Sequence, residues 1–242
     1  MGRKSEIDIL LSFENDRPQS ASEIVAKTGM PRSSVFRALR MLMDTGFLQQ
    51  PPGSTGYILG RRLLQLGLIA RQQLSPEDQI TAPLLALAAR TQETVTFSLV
   101  DVPWRLCVYV LDAPSDLRSV AQAGARYGLH LGAASSAILA NLPPEVAAEV
   151  LRFHNVPRRE AARRETELED IRAKGVAIAF GQRVVGATGV AAPILVGTTI
   201  LGSVAVAGPS ERLAPRLEAI VEDVTKVGGE LSSRLSATAP RR

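Results

Sequence analysis

Arg32, Ser33, Ser34, Arg37 and Arg40 bring three guanidinium groups and two hydroxyls into one short stretch of chain. Such groups suit the phosphate oxygens and base edges of a DNA major groove, because a guanidinium donates two parallel hydrogen bonds and a hydroxyl donates or accepts. Ordinary solvated helices carry the same residues. The local order of elements decides between the two readings.

Ser20 can cap a helix start, and Glu23 three residues later completes an S-x-x-E capping box. A helix running from there to about Thr28 meets Gly29, where a left-handed C-cap is wanted. Pro31 can open the next helix, since its missing N–H would be unpaired there anyway. Along that second helix Val35, Leu39 and Leu42 recur at core spacing, while Ser33, Arg37 and Arg40 recur on another face. After Gly46, the run Phe47-Leu48-Gln49-Gln50, the turn-rich residues 51–56 and Tyr57-Ile58-Leu59 read as strand, loop, strand. Two helices joined by a tight turn and followed by a hairpin describe a winged helix-turn-helix. The residues expected to face double-stranded DNA are therefore Arg32, Ser33, Ser34, Arg37 and Arg40 on the helix, with Ser54, Thr55 and Tyr57 on the wing. A module this small covers little DNA, so two copies on a near-palindromic site are expected.

Charge agrees with that placement. The chain carries 28 Lys+Arg against 24 Asp+Glu, and the whole excess lies in residues 1–75, which hold 10 basic and 6 acidic residues. The surplus coincides with the motif. A length of 242 residues favours two domains. We read residues 1–60 as the winged helix and 61–75 as an amphipathic linker helix with Leu63, Leu66, Ile69 and Ala70 on one side. Residues 76–242 form a larger domain. A single cysteine excludes an internal disulfide, and Arg3, Lys4, Glu6 and Asp8 interrupt any apolar leader, so a cytoplasmic location is expected.

Residues 184–210 contain no charge, a stretch longer than the ~20 residues that span a bilayer as a helix. Its glycines, prolines and β-branched residues predict two buried strands instead, and no membrane segment. Around it the pattern alternates. We expect a helix over 79–91, strands over 94–101 and 105–112, a Gly-rich lead into a helix over 132–141, helices over 144–153 and 158–174, strands over 176–180, 188–196 and 199–207, and a closing helix over 214–235. The fold class is α+β, with the sheet in the second domain.

Catalysis finds little support. Cys107 sits in an apolar strand pattern, and His130 and His154 are far apart in the sequence. Neither belongs to C-x-x-C, H-x-x-x-H or G-x-S-x-G spacing, so no catalytic residue, metal or cofactor is expected. An enzyme and an effector-independent DNA-binding protein stand as the alternative readings.

Five segments then occur in a telling order: SEIVAKTGMPRSSVFRALRMLMDTGFL, YILGRRLLQLG, ALAARTQETVTFSLVD, GARYGLHLGAASSAILANLP and VAAPILVGTTILGSVAVAGPSERL. With these the chain resembles, over nearly its whole length, the IclR family of bacterial transcription regulators. The resemblance implies an N-terminal winged helix and a C-terminal sensor domain similar to the GAF fold. It implies a small effector, often carboxylated or aromatic, and assembly into homodimers or homotetramers. Carried onto this chain, it places the effector pocket at Leu129, His130, Ala179, Gln182, Gly189, Ala205 and Ala207.

The chain departs from the family pattern at several of these points. The family often has Pro before the Leu-His pair, Gly-Lys at Ser135-Ser136, an acidic residue at Gln182, and small polar residues at Ala205 and Ala207. These exchanges remove hydroxyls and charge, which predicts a largely apolar or aromatic ligand, or one held by backbone N–H groups. From the residues alone, Ala205 and Ala207 read equally as strand packing. His130 reads equally as a buried histidine whose hydrogen bonds fix the loop before the next helix.

Overall fold

The Ser20–Glu23 capping box forms as its spacing predicts. The Ser20 hydroxyl accepts the Glu23 N–H at 3.2 Å, and the Glu23 carboxylate accepts the Ser20 N–H at 2.8 Å. These donated hydrogen bonds, with Arg17 at 2.8 Å, hold the Glu23 carboxyl down to about 2. In this computed structural model, residues 5–13, 17–74, 77–116 and 121–238 are described. The chain divides into two compact units, Met1–Ser75 and Pro76–Arg242.

In the first unit α1 (Glu6–Leu11), α2 (Ala21–Thr28) and α3 (Arg32–Asp44) precede a hairpin of β1 (Leu48–Gln49) and β2 (Ile58–Leu59), and α4 (Arg61–Leu74) follows. Gly29 ends α2 in the left-handed region at φ 60°. Pro31 caps α3 from just outside it. Ile9, Ile24, Val35, Ala38, Leu39, Leu42 and Leu48 close one core around these helices. Helix α1 escaped the sequence reading, although Ser5 and Asp8 form a second capping box there. Along α4 Leu66 and Ile69 are exposed and Leu63 and Ala70 half-buried, but Leu64 (65%) and Leu68 (54%) are exposed as well. The apolar surface of α4 is therefore broader than one stripe.

The second unit comprises α5 (Glu77–Thr91), β3 (Thr94–Asp101), β4 (Trp104–Leu111), β5 (Arg126–Gly128), α6 (Ala133–Leu139), α7 (Pro144–Phe153), α8 (Arg158–Lys174), β6 (Ala177–Phe180), β7 (Ala187–Val196), β8 (Thr199–Pro209), α9 (Ser210–Leu213) and α10 (Leu217–Thr238). Among the described residues its sheet has six strands in the order β5-β4-β3-β8-β7-β6, each pair antiparallel. Successive side chains of a strand point to opposite faces. Val95, Phe97, Val204 and Val206 accordingly pack with Ile220, Val224 and Leu231 of α10, whereas Ala191 and Ala205 pack with Ala137 and Ile138 of α6. A strand buried on both faces needs no polar side, which explains the charge-free run. The closing helix departs from expectation at its start. Residues Ala214–Arg216 form a 3-10 turn between α9 and α10, because Pro215 has no N–H to continue an α-helical ladder. The three-residue β5 was also not foreseen. Among the described residues no helix is long and apolar enough to cross a membrane.

Ser20→Ala removes one half of the capping box and is expected to cost about 1 kcal/mol in denaturant unfolding. Because the folded-state pKa of Glu23 is depressed, the contribution of its carboxylate is fully present above pH 4.5 and fades as pH falls toward 2. A Glu23→Gln variant, which lacks that carboxylate, should therefore converge with the wild type in acid, and an undiminished gap at pH 2 would refute the pairing.

Candidate functional site

Helix α3 presents the candidate DNA face. Val35, Ala38, Leu39 and Leu42 are buried in the core, which turns Arg32, Ser33, Arg37 and Arg40 to the outside. Ser34 is half-buried in the first turn, where its N–H donates to the Pro31 carbonyl at 2.9 Å. The Arg32 guanidinium lies over the Phe36 ring, 5.7 Å from its centre. On the wing, Gly53 takes the left-handed conformation at φ 74°. The Ser54 hydroxyl accepts the Gly56 N–H at 3.0 Å, and the Gln50 amide donates to the Thr55 carbonyl at 3.0 Å. Thr55 is exposed at the tip. The Tyr57 ring packs against the core of the first unit and its backbone exchanges hydrogen bonds with Gln19 at 2.8 and 2.9 Å, so Tyr57 anchors the wing.

A cavity lies between the sheet and the start of α6, with about 70 Å³ open to the centre of a water molecule. Its lining includes Ala179, Gln182, Gly189, Ala205 and Ala207, five of the residues expected there. Strand register brings them together: Ala179 pairs with Gly189, Gly189 with Ala207, and Ala191 with Ala205. Small residues at these rungs leave room above the sheet. Gln182 also holds the rim, its side-chain oxygen accepting the Gly132 N–H at 2.9 Å.

Two expected residues fall elsewhere. Leu129 is fully buried in the core beneath α6, since its side chain packs with Ile138 and Leu139 instead of facing the cavity. His130 borders a separate open cleft beside α8. Its ring stacks on His154 at 4.2 Å between centres, so residues distant in sequence are neighbours in the fold. Nor does a ring hydrogen bond fix the loop through Nδ1, which is buried without a partner. The backbone does so, with the His130 carbonyl accepting from Arg164 at 2.9 Å. Burial and the neighbouring His154 lower the His130 pKa.

The expectation of a charge-free cavity also fails. Arg105 and Arg183 both line it. Arg105 is only 4% exposed, and it donates to Ser98 Oγ at 2.7 Å and Ser135 Oγ at 3.1 Å. Its guanidinium carbon lies 4.6 Å from the Tyr127 ring centre, and that of Arg183 lies 4.2 Å from the same centre. Burial and the charge of Arg183 depress the Arg105 pKa to about 10, which leaves it cationic at neutral pH. The available signal was an arginine inside the apolar run WRLCVYV. Cys107 of that run is fully buried, and burial raises its thiol pKa. Among the described residues no group of His, Cys, Asp and Glu is arranged to hold a metal.

A winged helix with an exposed cationic face, followed in the chain by an α+β domain, defines the class of two-domain DNA-binding transcription regulators. The comparisons narrow this. Residues 7–52 match the IclR helix-turn-helix domain, and residues 77–233 match the bacterial transcriptional regulator IclR C-terminal domain. The chain belongs to the IclR family and is a DNA-binding transcription regulator. It is similar to the glycerol operon regulatory protein of Streptomyces griseus, with 30% identity over 226 residues, 88% of this chain and 85% of that one. An HTH-type transcriptional regulator of Mycobacterium tuberculosis is 30% identical over 203 residues, 81% of this chain and 77% of its own. In fold it is similar to an IclR homologue from Microbacterium hydrocarbonoxydans solved with 4-hydroxybenzoate, at TM-score 0.85, 22% identity, and coverage of 96% and 98%.

Replacing Arg37 by Ala is expected to cost on the order of 1 to 3 kcal/mol of DNA binding, the range for a bidentate base contact. Footprinting on the native promoter reads this, and unchanged affinity would remove Arg37 from the interface.

Proposed function

We propose that residues 1–60 bind a near-palindromic operator, that residues 61–75 link and pair two copies, and that residues 76–242 sense a small effector in the cavity beside α6. The observation that carries this reading is the cavity itself: small residues on neighbouring rungs of a buried sheet leave space that side chains of ordinary size would fill. On the DNA side, Ser33, Ser34 and Arg37 approach bases or phosphates, with Arg32, Arg40, Ser54 and Thr55 alongside. The alanine and valine walls suit an apolar or aromatic body, and the aromatic acid bound by the Microbacterium hydrocarbonoxydans homologue is a ligand of that kind. Arg105 and Arg183 add a demand for negative charge. The cytoplasm is the compartment that fits a DNA-binding chain. A ligand biases DNA binding only by its differential affinity for the two functional states, so the coupling is reciprocal and typically ~1 to 3 kcal/mol.

Ala205→Phe fills the cavity from the strand that forms its floor. Any compound from a panel of 4-hydroxybenzoate and small carboxylates that raises the melting temperature of the wild type should leave the variant unmoved, while operator binding without ligand persists. An unchanged ligand response, or outright unfolding, would make Ala205 ordinary core.

Assembly has its own test. The exposed Leu64, Leu66, Leu68 and Ile69 of α4 form an apolar surface that a second copy covers in this proposal. Light scattering at micromolar concentration should show a dimer or tetramer, shifted toward monomer by Leu64→Glu with Leu68→Glu. A wild-type monomer, with and without DNA, would exclude it.

A further inference from the structure

The cavity holds two cations and, among its described lining residues, no carboxylate. Neither Arg105 nor Arg183 takes part in an ion pair among the described residues. Burying a cation without an opposite charge is unfavourable, and hydroxyls or an aromatic face offset only part of the lost hydration. Arg105 receives that partial compensation from Ser98, Ser135 and Tyr127. Only its Nε and one of its terminal nitrogens make hydrogen bonds that the fold supplies, so the guanidinium keeps donors for a ligand.

The two arginines differ in depth. Arg105 stands on β4 and is buried, whereas Arg183 is exposed on the loop between β6 and β7, whose Gly181 and Gly186 take left-handed conformations at φ 63° and 78°. Their guanidinium carbons lie 4.6 and 4.2 Å from the same Tyr127 ring centre, so the two cations are close enough for one small ligand to meet both. Around them the walls combine methyl groups and short aliphatic chains, among them Ala133, Ala179, Ala205 and Val206, with the polar side chains of Thr96, Thr188 and Gln182. A volume of about 70 Å³ admits on the order of half a dozen water-sized groups. That is room for a short carbon chain with a charged group at each end.

We propose that the cavity binds a small aliphatic dicarboxylate, its inner carboxylate paired with Arg105 and its outer carboxylate with Arg183. The assignment rests on the sensor reading above and specifies the chemistry of its ligand. Charge-assisted pairs, bidentate at Arg105, supply orientation, and the small volume excludes a bulky spacer. A ligand with one negative charge would leave one guanidinium uncompensated.

Isothermal titration calorimetry on the full chain tests this with malonate, succinate, glutarate and adipate, each beside its monocarboxylate and diamide counterparts. At least one diacid is expected to bind on the order of tenfold more tightly than its monoacid, the gain of one additional charge-assisted pair, and its diamide should bind more weakly still. Arg183→Gln, on an exposed loop, should reduce the diacid to the affinity of its monoacid and leave the monoacid unchanged. Arg105→Gln should abolish both, with partial recovery in Arg105→Lys; if loss of the Ser98 and Ser135 contacts unfolds it, Arg183→Gln alone decides. Equal binding of diacids and monoacids, equal binding of diamides, no heat from any probe, or an unaffected Arg183→Gln would each overturn the assignment. No DNA is present in these titrations. Their failure thus leaves the regulator reading intact, and a diacid that binds without altering operator affinity removes the sensor reading while keeping the charge assignment.

Discussion

Strands β3, β7 and β8 are buried on both faces, and everything functional in the second unit depends on how their two faces differ. Toward α5 and α10 they present Val95, Phe97, Val190, Val204 and Val206, which fill a dense core. Toward α6 the alternate positions are Thr96, Gly189, Ala191, Ala205 and Ala207. Because side chains alternate strictly along a strand, bulk on one face and smallness on the other follow from a simple large-small pattern. Helix α6 can then lie close to the sheet, its seven residues all buried. A Cβ placed on Gly189 would already reach the Ala133 methyl at 3.4 Å. Around the start of α6 the same small residues leave open space.

The family's Gly-Lys is absent from α6, and the serines that replace it organise two buried arginines. Ser135 accepts from Arg105 and donates to the Gly128 carbonyl at 3.0 Å, joining helix, sheet and β5. Ser136 donates to the Gly132 carbonyl at 3.0 Å and accepts from Arg164 at 3.1 Å. Arg164 in turn pairs with Glu167 at 2.7 Å and so carries its own counter-charge. Arg105 does not. Of these two buried arginines, only Arg105 has no counter-charge among the described residues, and it stands beside the cavity.

The DNA-binding unit works by a simpler division. Helix α3 commits one face to the core with Ile9, Ile24 and Leu48, and that commitment fixes which residues remain for DNA. The wing is held by backbone pairing of Gln19 with Tyr57 and of Leu48 with Leu59, so its tip is carried on a two-stranded hairpin braced by one further bridge. Ser54 spends its hydroxyl on the turn, which leaves Thr55 as the exposed side chain at the tip.

Local physics made the first unit legible from sequence. The S-x-x-E box, Gly29, Pro31 and the Val35-Leu39-Leu42 period act within a few residues of themselves, so helices α2 and α3 and the outward side of α3 could be read without a fold. The charge-free run and its turn signals likewise predicted two buried strands, and the order of five segments pointed to the family. The cavity was only half legible. Ala179, Gly189, Ala205 and Ala207 converge because strands far apart in sequence share register, and their small size is meaningful only once they are neighbours. Leu129 turned inward and His130 turned to another cleft because side-chain direction at the end of β5 depends on what packs above it. Arg105 and Arg183, separated by nearly half of the domain, meet at Tyr127 through tertiary structure alone. Sequence by itself determined periodicity, caps and the class of protein, since those follow from contacts a few residues apart. Tertiary structure decided where charge enters the cavity, because that depends on which distant strands and loops the sheet places side by side.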